Sequence, residues 1–162
     1  MMKRLSYLLL GVLMVACSSV DCPVDSSVTT LYKVLDSDGT ELKLTDTMTV
    51  VTTRFDKQDT TIYNKGINIS EFTLPISYSH PEDVLVFSFD NGNDSLHVTD
   101  TVWIKKEDYP HFESVDCNTI YFHTITGVKY TRNYIDSIVI NNPSVTYDSQ
   151  TVHFHFYPKS GI

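Results

Sequence analysis

The sequence predicts an all-β protein, an antiparallel β-sandwich of roughly immunoglobulin-like build with about eight strands. The chain is rich in Thr, Val, Ile, Tyr and Phe, which favour strands, and it has few Gly and Pro residues. No stretch has the apolar periodicity of an amphipathic helix. Short apolar or alternating segments recur with turn residues between them, a pattern typical of a sandwich or, as the alternative, of a β-barrel.

The first five predicted strands lie at residues 28–35, 41–53, 60–64, 67–78 and 84–89. A turn after the first strand is indicated by Asp-Ser-Asp-Gly, because Gly39 can adopt a positive φ. The fourth contains Pro75, which has no amide proton, so we expect an edge strand or a bent one. Residues 84–89 are nearly all apolar, which predicts a central strand covered on both faces.

The remaining predicted strands lie at residues 96–105, 119–130, 134–140 and 152–157. The sequence Asp-Asn-Gly-Asn-Asp at residues 90–94 is the strongest hairpin signal of the chain. Residues 107–116 include Pro110 and are predicted to be a loop. In the last strand, alternation places Val152, Phe154 and Phe156 on one face and His153, His155 and Tyr157 on the other.

The N-terminus has the order of a secretory signal peptide. Two basic residues, Lys3 and Arg4, precede a short apolar run that ends at Ala16. The run has about 12 residues, whereas a helix needs about 20 to span a bilayer. We therefore assign residues 1–16 as a signal peptide and exclude them from the fold.

Val15-Ala16-Cys17 resembles the end of a bacterial lipobox, in which cleavage occurs before an acylated cysteine. The resemblance implies lipidation of Cys17 by palmitate-type chains, which would attach the protein to a membrane. Residues 17–27 would then be a lipidated tether and residues 28–162 a single β-domain. The alternative is an ordinary secretory signal in which Cys17 is a normal cysteine.

Charge restricts the partners that the chain can bind. The full sequence has 12 basic and 20 acidic residues, a net charge of −8, and removal of residues 1–16 changes it to −10. An acidic domain does not bind nucleic acid through the phosphate backbone, and there is no polybasic patch for anionic lipid. The expected partners are the membrane, through the N-terminal lipid, and an envelope protein.

The other two cysteines, Cys22 and Cys117, are predicted to form a disulfide, because export brings the chain into an oxidising compartment. Two separate reduced thiols are the alternative. Neither cysteine has a neighbour at the spacing of metal ligands, so we expect no zinc site.

No catalytic motif is present, so the protein is not predicted to be an enzyme, and no cofactor is expected. His153 and His155 could hold a metal only with a third ligand such as His97 or His123, and we interpret them as exposed polar residues. The acidic turn that begins at Asp90 superficially resembles a calcium loop but has Ser and Thr where an EF-hand needs Gly and Glu.

A short pattern recurs in which Asp is followed by Ser or Thr and then by an apolar residue or Thr. It resembles the acceptor motif for O-glycosylation of exported proteins in Bacteroidetes-type bacteria. The hydroxyl groups that would be modified are those of Thr47, Thr60, Ser95, Thr101 and Ser137. Alternatively, Asp-Ser and Asp-Thr pairs simply begin strands in a Thr-rich chain.

The segment DCNTIYFHTITGVKYTRNYIDSIVINNPSVTYDSQTVHFHFYP, with the lipobox and EFTLPI, resembles small Bacteroidetes lipoproteins grouped as a domain of unknown function. The resemblance implies a β-rich body in the cell envelope and assigns no functional residues. We expect a non-enzymatic binding or scaffolding module; the alternative is a module that binds a small ligand, a glycan or calcium. Only Asp21 is acidic among the four residues after Cys17, which favours the periplasmic face of the outer membrane over the cell surface.

Overall fold

The computed structural model describes residue 22 and residues 28–53, 57–92 and 97–160. In these residues the chain forms ten strands and no helix, so this described part includes no apolar helix long enough to cross a bilayer. The strands are β1 (Thr29–Val34), β2 (Thr47–Thr53), β3 (Asp59–Gly66), β4 (Glu71–Pro75), β5 (Glu82–Asp90), β6 (His97–His111), β7 (Ile120–Tyr130), β8 (Ile135–Ile140), β9 (Ser144–Val145) and β10 (Val152–Pro158).

The strands form two sheets, so the predicted β-sandwich is confirmed, with ten described strands rather than about eight. One sheet has the order β4-β1-β10-β8 and the other the order β3-β2-β5-β6-β7-β9. Neighbouring strands are antiparallel except β1 and β10, which are parallel. The first and last strands of the domain therefore lie side by side in the smaller sheet.

Aromatic side chains from both sheets meet in the core. Phe72 and Phe156 of the four-stranded sheet contact Phe87 of the six-stranded sheet, with ring centroids 6.2 and 6.1 Å apart. Tyr32 is stacked between Phe72 and Phe154, at 4.7 Å from each. All five side chains are buried. Because β10 supplies Phe154 and Phe156, the alternation predicted for the last strand gave the correct core face.

Several predicted turns and edges are confirmed. Gly39 has a φ of +79° in the turn after β1, where the Asp36 carboxylate accepts the amides of Asp38 and Thr40. Pro75 ends β4, which is an edge strand of its sheet. The β5–β6 hairpin forms at the predicted position, with Asp90 paired to His97.

The prediction that residues 84–89 are covered on both faces is wrong. Leu85, Phe87 and Phe89 are buried, but Val84 between Asp83 and Leu85 is 41% exposed. The six-stranded sheet packs on its partner with one face only, and its other face contacts solvent. Apolar residues on both faces of β5 therefore do not imply burial of both.

The loop predicted for residues 107–116 is also wrong in its first half, because β6 continues to His111. β5 accompanies β6 only as far as Lys105, and beyond it β6 pairs with β7 alone. Lys106 still donates its amide to the carbonyl oxygen of Pro81. After Lys106, no described strand pairs with this edge of β6. A proline is tolerated there, because an edge strand need not donate every amide to a neighbour; Pro110 lies opposite Tyr121.

Candidate functional site

A β-bulge in β7 places a histidine on the inner face of the sheet. Lys105 pairs with Gly127 and Lys106 with Ile125, so Thr126 has no partner across the ladder. The extra residue reverses the alternation of side chains in the rest of β7. As a result Ile125 and His123 are buried, and His123 lies opposite Asp108 of β6.

Three ionisable side chains meet at this position, and we call them the Lys106–Asp108–His123 network. Oδ1 of Asp108 lies 2.6 Å from Nδ1 of His123 and 3.2 Å from Nζ of Lys106. The ammonium group also donates to the carbonyl oxygen of His80. Lys106 is buried, and its charge is tolerated because it is paired and hydrogen-bonded.

Burial dominates the protonation of His123. It lowers the pKa of His123 below its usual value, because desolvation penalises the imidazolium more than the hydrogen bond to Asp108 stabilises it. The ring is therefore favoured in its neutral form. A neutral imidazole whose Nδ1 proton is donated to a carboxylate has no proton on Nε2, so Nε2 can accept one further hydrogen bond.

An open cleft of about 470 Å³ lies beside the network. His123 forms part of its lining, together with Tyr78 and Ile76 from the segment between β4 and β5 and Tyr121 from β7. The rings of Tyr78 and Tyr121 are stacked at 4.9 Å, and Tyr78 is 66% exposed. The lining of apolar rings with a few polar groups is typical of ligand-binding clefts.

The disulfide predicted from the sequence is present in the structure. Cys22 is bonded to Cys117, which lies in the connection between β6 and β7. Asn118 and Thr119, the next two residues, line the cleft, as does Val28 at the start of β1. The cleft and the disulfide therefore lie at the same end of the sandwich.

The predicted lipidation and glycosylation residues are not brought together. Cys17 and Ser95 lie outside the described residues. Thr47, Thr60, Thr101 and Ser137 are half-buried and occupy four different strands, β2, β3, β6 and β8.

The interpretation of His153 as an exposed residue is wrong, because its side chain is fully buried. Its Nδ1 accepts the amide of Leu31 at 3.0 Å, and its Nε2 lies 3.2 Å from the carbonyl oxygen of Ser144. These contacts require a neutral ring with the proton on Nε2. Burial accordingly lowers the pKa of His153. His153 supports the irregular pairing of β1 with β10 between Leu31 and Tyr32.

His155, by contrast, is half-buried and His97 is exposed. Nowhere in the described parts of the chain do three His, Cys, Asp or Glu side chains form a group that could hold a metal ion.

The sequence interpretation missed a buried carboxylate, that of Asp100. One of its oxygens accepts the hydroxyl of Thr131 and the amide of Asn133, and the other accepts the amides of Tyr134 and Ile135. In the sequence, Asp100 is recognisable only as the acidic residue that precedes Thr101 in the Asp-Thr pattern. The structure gives it the role of holding the turn between β7 and β8.

The comparisons with known proteins give a family and no activity. No curated protein and no solved structure matches the chain significantly. A family of unknown function (DUF6452) matches residues 47–158, which include β2 to β10 and all three members of the Lys106–Asp108–His123 network. The chain therefore belongs to this family of unknown function, DUF6452.

Proposed function

We propose that the protein is a lipid-anchored, non-enzymatic binding module of the bacterial cell envelope. It is attached to the outer membrane through Cys17, with the periplasmic face favoured, and binds a second envelope component at the cleft beside His123. The observation that carries the proposal is the disulfide between Cys22 and Cys117, which joins the segment after Cys17 to the end of the domain that contains the cleft.

The composition of the cleft supports a binding role. Tyr78 and Tyr121 supply aromatic surface, while Asn118, Thr119 and His123 supply hydrogen-bonding groups. Lys106 and Asp108 form an ion pair next to His123, so their opposite charges compensate each other beside the cleft. A partner that presents both apolar and hydrogen-bonding groups, such as an exposed protein loop, fits this lining best.

The two buried histidines differ in their contacts. Both nitrogens of His153 contact backbone groups of the fold. His123 is held by Asp108 and forms part of the lining of the cleft. Of the two, His123 is therefore the one that we propose for the binding role.

The anchoring half of the proposal is tested by fractionation of the native producing cells. We expect the wild-type protein in the membrane fraction and a mass that includes acyl chains on Cys17. Cys17→Ser should move the protein to the soluble fraction, whereas Cys22→Ser, which leaves Cys17 intact, should remain with the membrane. A wild-type protein without acyl chains would contradict the proposal.

The binding half is tested by a photo-crosslinking amino acid placed at Tyr121 in the native envelope. We expect capture of one discrete envelope component. The matched control is the same amino acid at Val139, which is exposed on β8 in the other sheet. Recovery of only lipid or self from Tyr121, or the same products from both positions, would contradict the proposal.

A second candidate, a module that binds a small glycan, is favoured by the stacked tyrosines at the cleft. The exposed face of Tyr78 offers a flat ring on which a sugar could stack, and His123 lies in the same lining. Glycan-array binding by the wild-type protein that is lost in Tyr78→Ala would support this candidate. An array with no binding would exclude the glycans tested.

A further inference from the structure

The connection between β6 and β7 exposes apolar side chains where burial would be expected. We call residues 112–119 the tip. Val115 is completely exposed and Phe112 is 65% exposed. The amide of Cys117 donates to the carbonyl of Ser114 at 3.2 Å, which closes a tight turn with Val115 at its corner. The turn therefore presents an apolar side chain outward in a fixed position.

The disulfide brings the tip close to the proposed anchor. Cys117 belongs to the tip and is bonded to Cys22. Only four residues separate Cys22 from Cys17, and five Cα–Cα steps span at most about 18 Å. If Cys17 carries lipid, as proposed above, the tip cannot move far from the membrane surface.

We infer that the tip rests on the lipid bilayer, with Phe112 and Val115 in the interfacial region of a zwitterionic membrane surface. Aromatic and apolar side chains are favoured at the depth of the headgroups. Residues 107–128 contain no Lys or Arg, and the tip itself carries Glu113 and Asp116. Attraction to anionic lipid therefore does not contribute, which identifies uncharged headgroups as the preferred surface.

A contact made by two side chains is weak by itself. The lipid anchor makes this weak contact effective, because it keeps the tip next to the bilayer and so raises the effective concentration of the tip at the membrane surface. The tip then serves as a second point of attachment that fixes the orientation of the domain. In this orientation the cleft, lined by Asn118 and Thr119 at the base of the tip, opens near the membrane surface.

The inference is tested with a tryptophan reporter in the acylated, full-length protein. The chain contains one tryptophan, Trp103. In β6 it lies about 30 Å from residue 112, at 3.3 Å per residue. Val115→Trp in a Trp103→Phe background places the only tryptophan at the tip. The protein is reconstituted into phosphatidylcholine vesicles with brominated acyl chains, which quench tryptophan on contact.

We expect fluorescence of the reporter at position 115 to fall about twofold or more relative to unbrominated vesicles, with a blue shift of its emission. The matched control is the parent protein, whose Trp103 should not be quenched. Phe112→Trp in the same background gives a second reporter in case the first variant folds poorly. Equal fluorescence in both types of vesicle, for either well-folded reporter, would overturn the inference.

Flotation of the same vesicles separates this outcome from failure of the proposed function. Protein that floats with the vesicles but shows no quenching is anchored with the tip in water, which overturns the inference alone. Acylated protein that does not float would overturn the anchor and the inference together. Protein that floats and is quenched at position 115 but not at Trp103 supports both.

Discussion

The middle of the sandwich and its disulfide-linked end are buried by different means. In the middle, rings such as those of Tyr32, Phe87 and Phe156 fill the space between the sheets. At the end, the space beneath the cleft holds a buried lysine, an aspartate and a histidine. Apolar packing stabilises a fold directly, whereas a buried ion pair adds little over apolar residues of the same volume. The difference indicates that the middle contributes most of the stability of the fold, whereas the end is the region for which we propose a contact.

The largest expected effect comes from truncating a ring in the middle. Phe156 is fully buried and contacts Phe72, Phe87 and Phe89. We expect Phe156→Ala to lower the free energy of unfolding by about 3–5 kcal/mol, because it removes apolar burial and leaves a cavity. The measurement is urea-induced unfolding followed by circular dichroism.

The matched control for this change is Phe112→Ala at the tip. The same atoms are removed there from a side chain that is already exposed, so the free energy of unfolding should change by less than about 0.5 kcal/mol. Similar losses for the two variants would show that the tip is part of the cooperative core, and the distinction between the two regions would fail.

The middle of the molecule was largely predictable from the sequence because its signals are local. Alternation along β10 identified Phe154 and Phe156 as core residues, and Pro75 marked an edge strand. The hairpin signal at residues 90–94 placed the turn between β5 and β6 correctly. Each of these features depends on residues that are neighbours in the chain.

The end of the molecule was not predictable because its geometry depends on distant partners. Pro110 suggested a loop, but it lies in β6. The proline is tolerated there because β5 ends opposite Lys105, so Pro110 lies at an edge of the sheet. The bulge at Thr126 decides which face His123 occupies. Gly127 beside it is a residue type that often marks a bulge, but a glycine alone does not give the register on either side. Likewise, His153 of β10 is hydrogen-bonded to Ser144, which belongs to a different strand, β9, and alternation along β10 does not reveal this contact.

The second largest loss of stability is expected when the ion pair between Lys106 and Asp108, at the end of the sandwich, is broken. Asp108→Asn removes the charge that compensates Lys106, whose side chain is completely buried. We expect the free energy of unfolding to fall by about 2–3 kcal/mol, somewhat less than for a fully buried pair, because the Asp108 side chain is partly exposed. Urea-induced unfolding at pH 7.5 measures the change.

An exposed ion pair at the start of β8 provides the control for that variant. Oδ1 of Asp136 lies 2.7 Å from Nη2 of Arg132, and both side chains are more than half exposed. Asp136→Asn should leave the unfolding midpoint unchanged, since exposed pairs contribute little. If Asp108→Asn were as mild, Lys106 would have to be solvated in solution, and the end of the sandwich would be more open than the structure shows.

The third effect is a loss of stability on acidification. The pKa values of His153 and His123 are lowered by burial, so below about pH 6.5 the unfolded chain binds more protons than the folded one. The stability contributed by the neutral rings is complete above that pH and decreases as the pH falls. We expect the Tm to decrease between pH 7.5 and 5.5.

His153→Gln separates the pH effect from the effect of packing. Gln cannot titrate, so the variant should be less stable at pH 7.5 but should show a shallower decrease of Tm towards pH 5.5. His97→Gln, at an exposed position on β6, should keep the wild-type slope. A steeper slope in His153→Gln than in the wild type would mean that other groups govern the acid response.

The smallest effect has the opposite sign and concerns the polar group in the middle. The hydroxyl of Tyr32 is buried and makes no hydrogen bond of normal geometry among the residues that the structure describes, although it interacts with the hydroxyl of Thr30, which donates to the carbonyl oxygen of Leu74 instead. Tyr32→Phe keeps the stacked ring and removes that hydroxyl, so we expect the free energy of unfolding to rise by up to about 1 kcal/mol.

Tyr134→Phe is the matched control. The hydroxyl of Tyr134 donates to Asp46 at 2.8 Å, and removing it should lower the free energy of unfolding by about 1 kcal/mol. If chemical denaturation gives changes of opposite sign in the free energy of unfolding, a buried tyrosine hydroxyl destabilises the middle of the sandwich and stabilises its margin. A lower free energy of unfolding in both variants would mean that the Tyr32 hydroxyl has a hydrogen-bond partner in solution. The middle of the sandwich would then be stabilised by a polar contact as well as by apolar packing.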